Sequence, residues 1–147
     1  MTPNILISQS ERELEARYTD YFIAHIDGQK AITLRQFYEE IANVLEIPDF
    51  GFTLEALNDS LNDLQWLEDE RIVLYFTNTN DLISKERDPA KMSSILNVLD
   101  ATAEDWKWVD DQEIDKKEIV IVFEDSPRIR KMLESENIDF AMLGELD

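Results

Sequence analysis

Three short apolar runs punctuate the chain, at residues 21–26 (YFIAHI), 71–76 (RIVLYF) and 118–123 (EIVIVF). Their aromatic and β-branched content, with little alternation of apolar and polar positions, predicts strands covered on both faces, as in a parallel sheet. Between the runs the apolar spacing changes to that of helices. Thr33 with Gln36 has the form of a capping box, and Phe37, Ile41, Val44 and Leu45 give the helix that follows its core side, with Pro48 as its stop. Asp88-Pro89 reads as an N-cap followed by proline at the first helical position, opening a helix with Met92, Ile95, Leu96, Leu99 and Ala103 on one face. Ser126-Pro127 opens a last helix to about Asn137. Residues 5–7 fit a short edge strand, 11–17 a turn or two of polar helix, and the last ten residues a peripheral tail.

Strands separated by helices imply right-handed crossovers and one α/β domain spanning 1–147. The expected fold is a small three-stranded parallel sheet with helices packed around it, its core at about 21–123. Residues 1–20 and 124–147 are extensions, the second carrying an extra C-terminal helix. No internal repeat interrupts this reading.

One helix differs from the rest. On a wheel from Leu54 to Leu64, the leucines 54, 57, 61 and 64 fall within about 80° of one another and form the docking side. Glu55, Asp59, Asn62 and Asp63 gather opposite, with Asn58 at the border. Phe50 and Phe52, around Gly51, lead into the helix, and Trp66 follows it. The surrounding window, 36–70, holds ten Asp or Glu and no Lys or Arg. Solvated helix faces ordinarily alternate acid with base at i,i+4. A face of one sign repels itself, a cost that a cationic partner removes.

Composition extends this argument to the whole chain. With 147 residues and 44% apolar side chains, a folded core is expected despite a net charge of −19. That charge argues against nucleic acid or an anionic membrane as a direct ligand, since both would be repelled. There are no cysteines, hence neither disulfides nor thiolate chemistry. The first residues, MTPNILISQSERE, lack the basic and apolar regions of a signal peptide, and no run reaches membrane-span length, so the cytoplasm is the expected compartment.

Catalytic chemistry finds little support. His25 is the single histidine and lies inside a predicted strand, where packing or hydrogen bonding is the ordinary role. Three scattered glycines (Gly28, Gly51 and Gly144) make no phosphate loop, and no calcium-loop pattern occurs. With 33 acids, carboxylate pairs arise by chance. An enzyme is not expected, nor a cofactor or metal. Trp106 and Trp108 are either interface anchors or, for at least one of them, core. Lys116, Lys117, Arg128, Arg130 and Lys131 form a basic cluster expected to pair with the protein's own acids.

The order strand, Asp-Gly-Gln turn, capped helix, then IPDFGFTLEALNDSLND and a hydrophobic strand resembles the barstar family of intracellular ribonuclease inhibitors. The matching positions are Pro48, Phe50, Gly51, Leu54, Ala56, Leu57, Asp59 and Leu61. The likeness runs from about Tyr21 to Phe76 and continues more weakly through the helix at 89–105 and the strand at 118–123. The first twenty residues, the stretch 106–117 and the C-terminal helix have no counterpart. The resemblance implies three parallel strands, and inhibition by an acidic helix and its preceding loop set into a basic ribonuclease's active site. It makes Asp59 the anion at the phosphate position, Glu55 and Asn62 contacts along the helix, and Phe50 an aromatic of the binding loop. Departures lie in a loop one residue shorter before Gly51, in Thr53 and Asn58 where the family has Asn and Trp, and in Ala101 where it has a contacting Glu. They imply a partner other than barnase.

Two functions follow as expectations. The first is an immunity protein binding a basic toxin, a ribonuclease, in a 1:1 complex through Phe50, Gly51, Phe52, Glu55, Asn58, Asp59, Asn62, Asp63 and Trp66. The alternative is an acidic nucleic-acid mimic or adaptor that engages a basic protein or secreted effector without inhibiting a nuclease.

Overall fold

The computed structural model describes residues 2–109 and 115–146. The apolar runs form β2 (Phe22–Asp27), β3 (Arg71–Thr77) and β4 (Glu118–Glu124). β3 and β4 lie inside the sheet as expected, but β2 is an edge strand with His25 exposed, which corrects the expectation that it is covered on both faces: a short apolar run does not reveal which strand ends the sheet. Two further strands join them, β1 (Ile5–Ser8) and β5 (Phe140–Met142). The sheet is entirely parallel, with order β2-β3-β4-β1-β5. The expectation of three strands is therefore corrected to five. β1 is interior, not an edge: Ile5 and Ile7 are fully buried, and the strand pairs with β4 on one side and β5 on the other. Its four residues carry too little pattern to reveal two-sided burial. β5 is shorter still, and it places the supposed tail at the sheet's edge.

The helices are α1 (Glu11–Arg17), α2 (Leu34–Val44), α3 (Leu54–Leu61), α4 (Pro89–Lys107) and α5 (Pro127–Ser135). Their starts follow the sequence closely. Thr33 and Gln36 make the reciprocal capping box, and Asp88 and Ser126 accept hydrogen bonds from Ala90 and Ile129 backbone N–H groups ahead of their prolines. The end of α2 differs from expectation. Ile47 N–H bonds Ala42 O (2.9 Å) and Glu46 N–H bonds Asn43 O (3.3 Å), with Glu46 at φ 52°. This is a Schellman turn, closed two residues before Pro48.

The larger core lies on one face of the sheet. Phe37 of α2 stacks on Phe76 of β3, which stacks on Phe123 of β4 at 4.8 Å between centroids. Leu57 and Leu61 of α3 and Trp106 of α4 close the same core. The other face is smaller: Leu14 and Tyr18, of α1 and its C-cap, and Leu143 cover Leu6, Val73, Tyr75 and Val122. Glycine is required at the end of β2, where a Cβ on Gly28 would collide with the carbonyl oxygens of Thr77 and Asn78. No helix among the described residues is long and apolar enough to cross a membrane.

Candidate functional site

α3 is capped at its start and fixed to the body at its middle and its end. Thr53, its N-cap, accepts from Ala56 N–H at 3.0 Å. Leu57 and Leu61 are fully buried, which contributes roughly 3–6 kcal/mol between them relative to exposure. At the far end the buried Trp106 indole donates to Leu61 O at 2.8 Å. The helix stops at Leu61, shorter than the wheel to Leu64 assumes; Leu64 returns to the core only by adopting φ 54°.

The outward side carries Glu55 and Asp59, both exposed, with Asn58 half-buried. Asn62 is the C-cap, and its amide donates back to Asn58 O at 2.8 Å and to Asn58 Oδ1 at 3.2 Å. Asp63 is exposed in the following turn. Trp66 is half-buried, and its indole donates to Leu45 O at 2.9 Å, tying this turn to the end of α2. Trp66 thus holds the site from behind.

The loop before α3 is conformationally costly. Glu46, Asp49 and Phe52 occupy left-handed backbone, whereas Gly51 does not. Non-glycine residues there cost on the order of 1–3 kcal/mol each and cluster at functional sites. Gly51 is exposed. The two phenylalanines are only partly exposed. Phe50 packs edge-on against Phe52 (5.2 Å) and Tyr38 (5.8 Å), and both are half-buried. The Arg35 guanidinium lies over the Phe52 ring, 4.0 Å from its centroid, and also pairs with Glu39 at 2.9 Å.

Arg35 and Tyr38 are the members of this region that sequence reasoning misses. Arg35 sits one residue outside the base-free window; the capping box, which sets the start of α2, is the signal that could have placed it. Among the described residues the ion pairs join Arg35–Glu39, Arg71–Glu118, Lys107–Glu104 and Arg130–Asp125. None involves Glu55, Asp59 or Asp63.

The other candidates have structural tasks. His25 Nε2 meets Thr77 Oγ1 at 2.6 Å beside the Tyr75 ring. Trp106 is core, while Trp108 is 73% exposed and donates to Glu104. That donor, with Asn4, holds the Glu104 carboxyl below its usual range. The basic cluster disperses. Arg130 pairs with Asp125, but Lys116, Lys117 and Arg128 donate to backbone carbonyls, correcting the expected pairing with acids. Residues 110–114 of the polar run lie outside the described residues. Among the described residues no group of three or more His, Asp or Glu is placed to hold a metal.

The carboxyl ends of the strands, where open α/β sheets usually take ligands, are filled by the chain itself. Asn78 bridges to Asp27 (2.8 Å) and, through its N–H, to Glu124 (2.9 Å). Thr79 bonds Ser126 (2.6 Å), and Gln9 and Arg130 both bond Asp125.

A parallel sheet with an exposed acidic helix defines the class, an α/β domain offering a carboxylate surface. The sequence model of the family "Barstar (barnase inhibitor)" matches residues 21–114. The chain belongs to that family. The match starts where the sequence likeness does; it includes part of 106–117, for which no counterpart was expected, and ends before β4. No curated protein matches the chain. Among solved structures it is similar to the Aeropyrum pernix ORC2 protein, at TM-score 0.54 and 11% identity over 96% of this chain and 41% of that one. Cdc6p from Pyrobaculum aerophilum gives TM-score 0.45 at 17% identity, covering 95% of this chain and 38% of that one. The likeness to ORC2 concerns fold alone, and the chain spans about two fifths of these structures' length.

Proposed function

We propose that the protein is an immunity protein that inhibits a basic toxin, a ribonuclease, by setting α3 and the loop before it into the toxin's active site. The family supports the ribonuclease-inhibitor role in general. The observation that carries the finer reading is the state of the carboxylates: Glu55, Asp59 and Asp63 are exposed and form no ion pair among the described residues, on and beside a helix whose end is held by the Trp106 indole and whose following turn is held by the Trp66 indole. A carboxylate on such a rigid support meets an Arg, Lys or His of the nuclease with little ordering cost and forms charge-assisted hydrogen bonds. Asp59 is the principal anion, flanked by Glu55, Asn62 and Asp63.

Phe50 and Phe52 exclude water at the rim, and exposed Gly51 allows close approach of the partner. Asn58 contributes at the border, and Trp66 keeps the turn in place. Arg35 over Phe52 introduces one cation at the site's edge, a feature the partner must accommodate with an acid or with space. One such surface per chain gives a 1:1 complex, acting in the cytoplasm of the producing cell, without cofactor, catalysis, nucleic acid or membrane.

The alternative, a nucleic-acid mimic or adaptor, is favoured by the charge beyond α3, since ten of 33 acids lie in the window 36–70. The two readings separate on one experiment. Wild-type protein and a Glu55→Ala/Asp59→Ala variant are used as baits in extract of the source cell. Inhibition predicts a basic protein retained by wild type alone, whose RNA cleavage the wild type blocks. Equal capture by both baits would favour the mimic or adaptor.

A further inference from the structure

We propose that the cleft at the amino ends of the strands is a second, anion-binding site that takes a small phosphate ester with a flat apolar part. The cleft has a volume of about 730 Å³, within the range of small-molecule sites. It opens where Asn4, Tyr21, Arg71 and Glu118 stand at or just before the starts of β1, β2, β3 and β4. In a chain of net charge −19 its lining is basic: Arg17, Arg71, Lys107, Lys116 and Lys117 face Glu70 and Glu118. This sign reversal is the opposite of the α3 surface, and it makes the cleft a separate place for a ligand of opposite charge.

One wall group lacks a counter-charge. Lys117 is 4% exposed, and its ammonium donates at 2.7 Å to Leu67 O and at 2.7 Å to Asp69 O, with no carboxylate paired to it among the described residues. A buried cation held only by carbonyls lacks the opposite charge that would offset its desolvation. Arg71 and Lys107 reach their acids only at 3.9 and 3.8 Å, so their donors are available to a phosphate. The edge-on pair Tyr18–Tyr21 (4.9 Å) supplies an apolar wall that a flat group fills, and the edge of Trp106, which belongs to the core on the sheet's other face, lines the opposite side.

The test is a titration of the full chain at constant ionic strength with phenyl phosphate, inorganic phosphate and phenol. It is read by the three tryptophan indole N–H resonances. Phenyl phosphate is expected to shift the Trp106 signal saturably, with inorganic phosphate weaker and phenol inert. Arg71→Gln/Lys107→Gln, and separately the exposed Lys116→Gln, are expected to weaken binding, the double variant by roughly tenfold or more for the lost charge-assisted bonds. Asp59→Ala is expected to leave it unchanged. No saturable shift at millimolar phenyl phosphate, equal binding of phenol, or wild-type affinity in folded variants would each overturn the site.

Discussion

Removing the Asp59 carboxylate should move folding and binding in opposite directions. Asp59 is exposed, makes no ion pair among the described residues, and lies in the last turn of α3. Three local terms then disfavour it in the free protein. Aspartate is a poorer helix former than alanine by about 0.5 kcal/mol. Its repulsion from Glu55 at i,i+4 costs about 0.2–0.5 kcal/mol. An anion near a helix C-terminus costs a further ~0.3–1 kcal/mol. Asp59→Ala should therefore stabilise the free chain by about 1–2 kcal/mol, raising Tm by roughly 2–8 °C for a domain of this size. Thermal unfolding followed by circular dichroism measures this, and added salt should narrow the gap between variant and wild type. The same substitution should weaken partner binding by at least ~2 kcal/mol, the threshold of a hot spot. A variant less stable than wild type would refute the reasoning, because it would mean that Asp59 holds the fold together.

Three further predictions concern the frame. Glu46 occupies the left-handed position of the α2 Schellman turn and is exposed, so Glu46→Gly should raise stability by about 1 kcal/mol in urea unfolding. Gly28→Ala should lower it by about 1–3 kcal/mol or more, since the atoms its Cβ meets are backbone carbonyls that cannot swing aside. Burial, then the Glu124 and Glu11 charges, pushes the Tyr75 hydroxyl up to about 12. The unfolded chain ionises near 10, so this residue's contribution is complete below pH 10 and is lost as pH rises toward 12. The hydroxyl is buried with the Ser8 side chain as its polar neighbour, so Tyr75→Phe should change stability at pH 7 by no more than about 1 kcal/mol and flatten the alkaline loss measured by urea midpoints.

The parts of the fold legible in sequence are those whose local chemistry decides them. Prolines after Asp88 and Ser126, and Gln36 three residues after Thr33, fix helix starts whatever surrounds them. The runs 71–76 and 118–123 can hardly be anything but buried strands. β1 and β5 escaped because four and three residues show no period, and their pairing is set by strands more than a hundred residues away in sequence. In the site, the outward stations of Glu55 and Asp59 follow from the leucine spacing. The stacking of Arg35 on Phe52 does not, because it depends on how α2 and the strained loop meet in space. Nor does the sequence show that Trp66 faces inward to Leu45 O. An indole serves equally well as anchor for a partner or for the chain's own carbonyl.

The central claim, that the α3 carboxylates block a nuclease active site, is tested most directly by titrating the captured ribonuclease with wild-type protein and with Glu55→Ala/Asp59→Ala while following RNA cleavage. The account predicts stoichiometric 1:1 inhibition by wild type, with an association rate that falls as salt rises. It also predicts an inhibition constant for the variant weaker by at least ~30-fold, corresponding to about 2 kcal/mol. Equal inhibition by both proteins, or an association rate indifferent to salt, would contradict it.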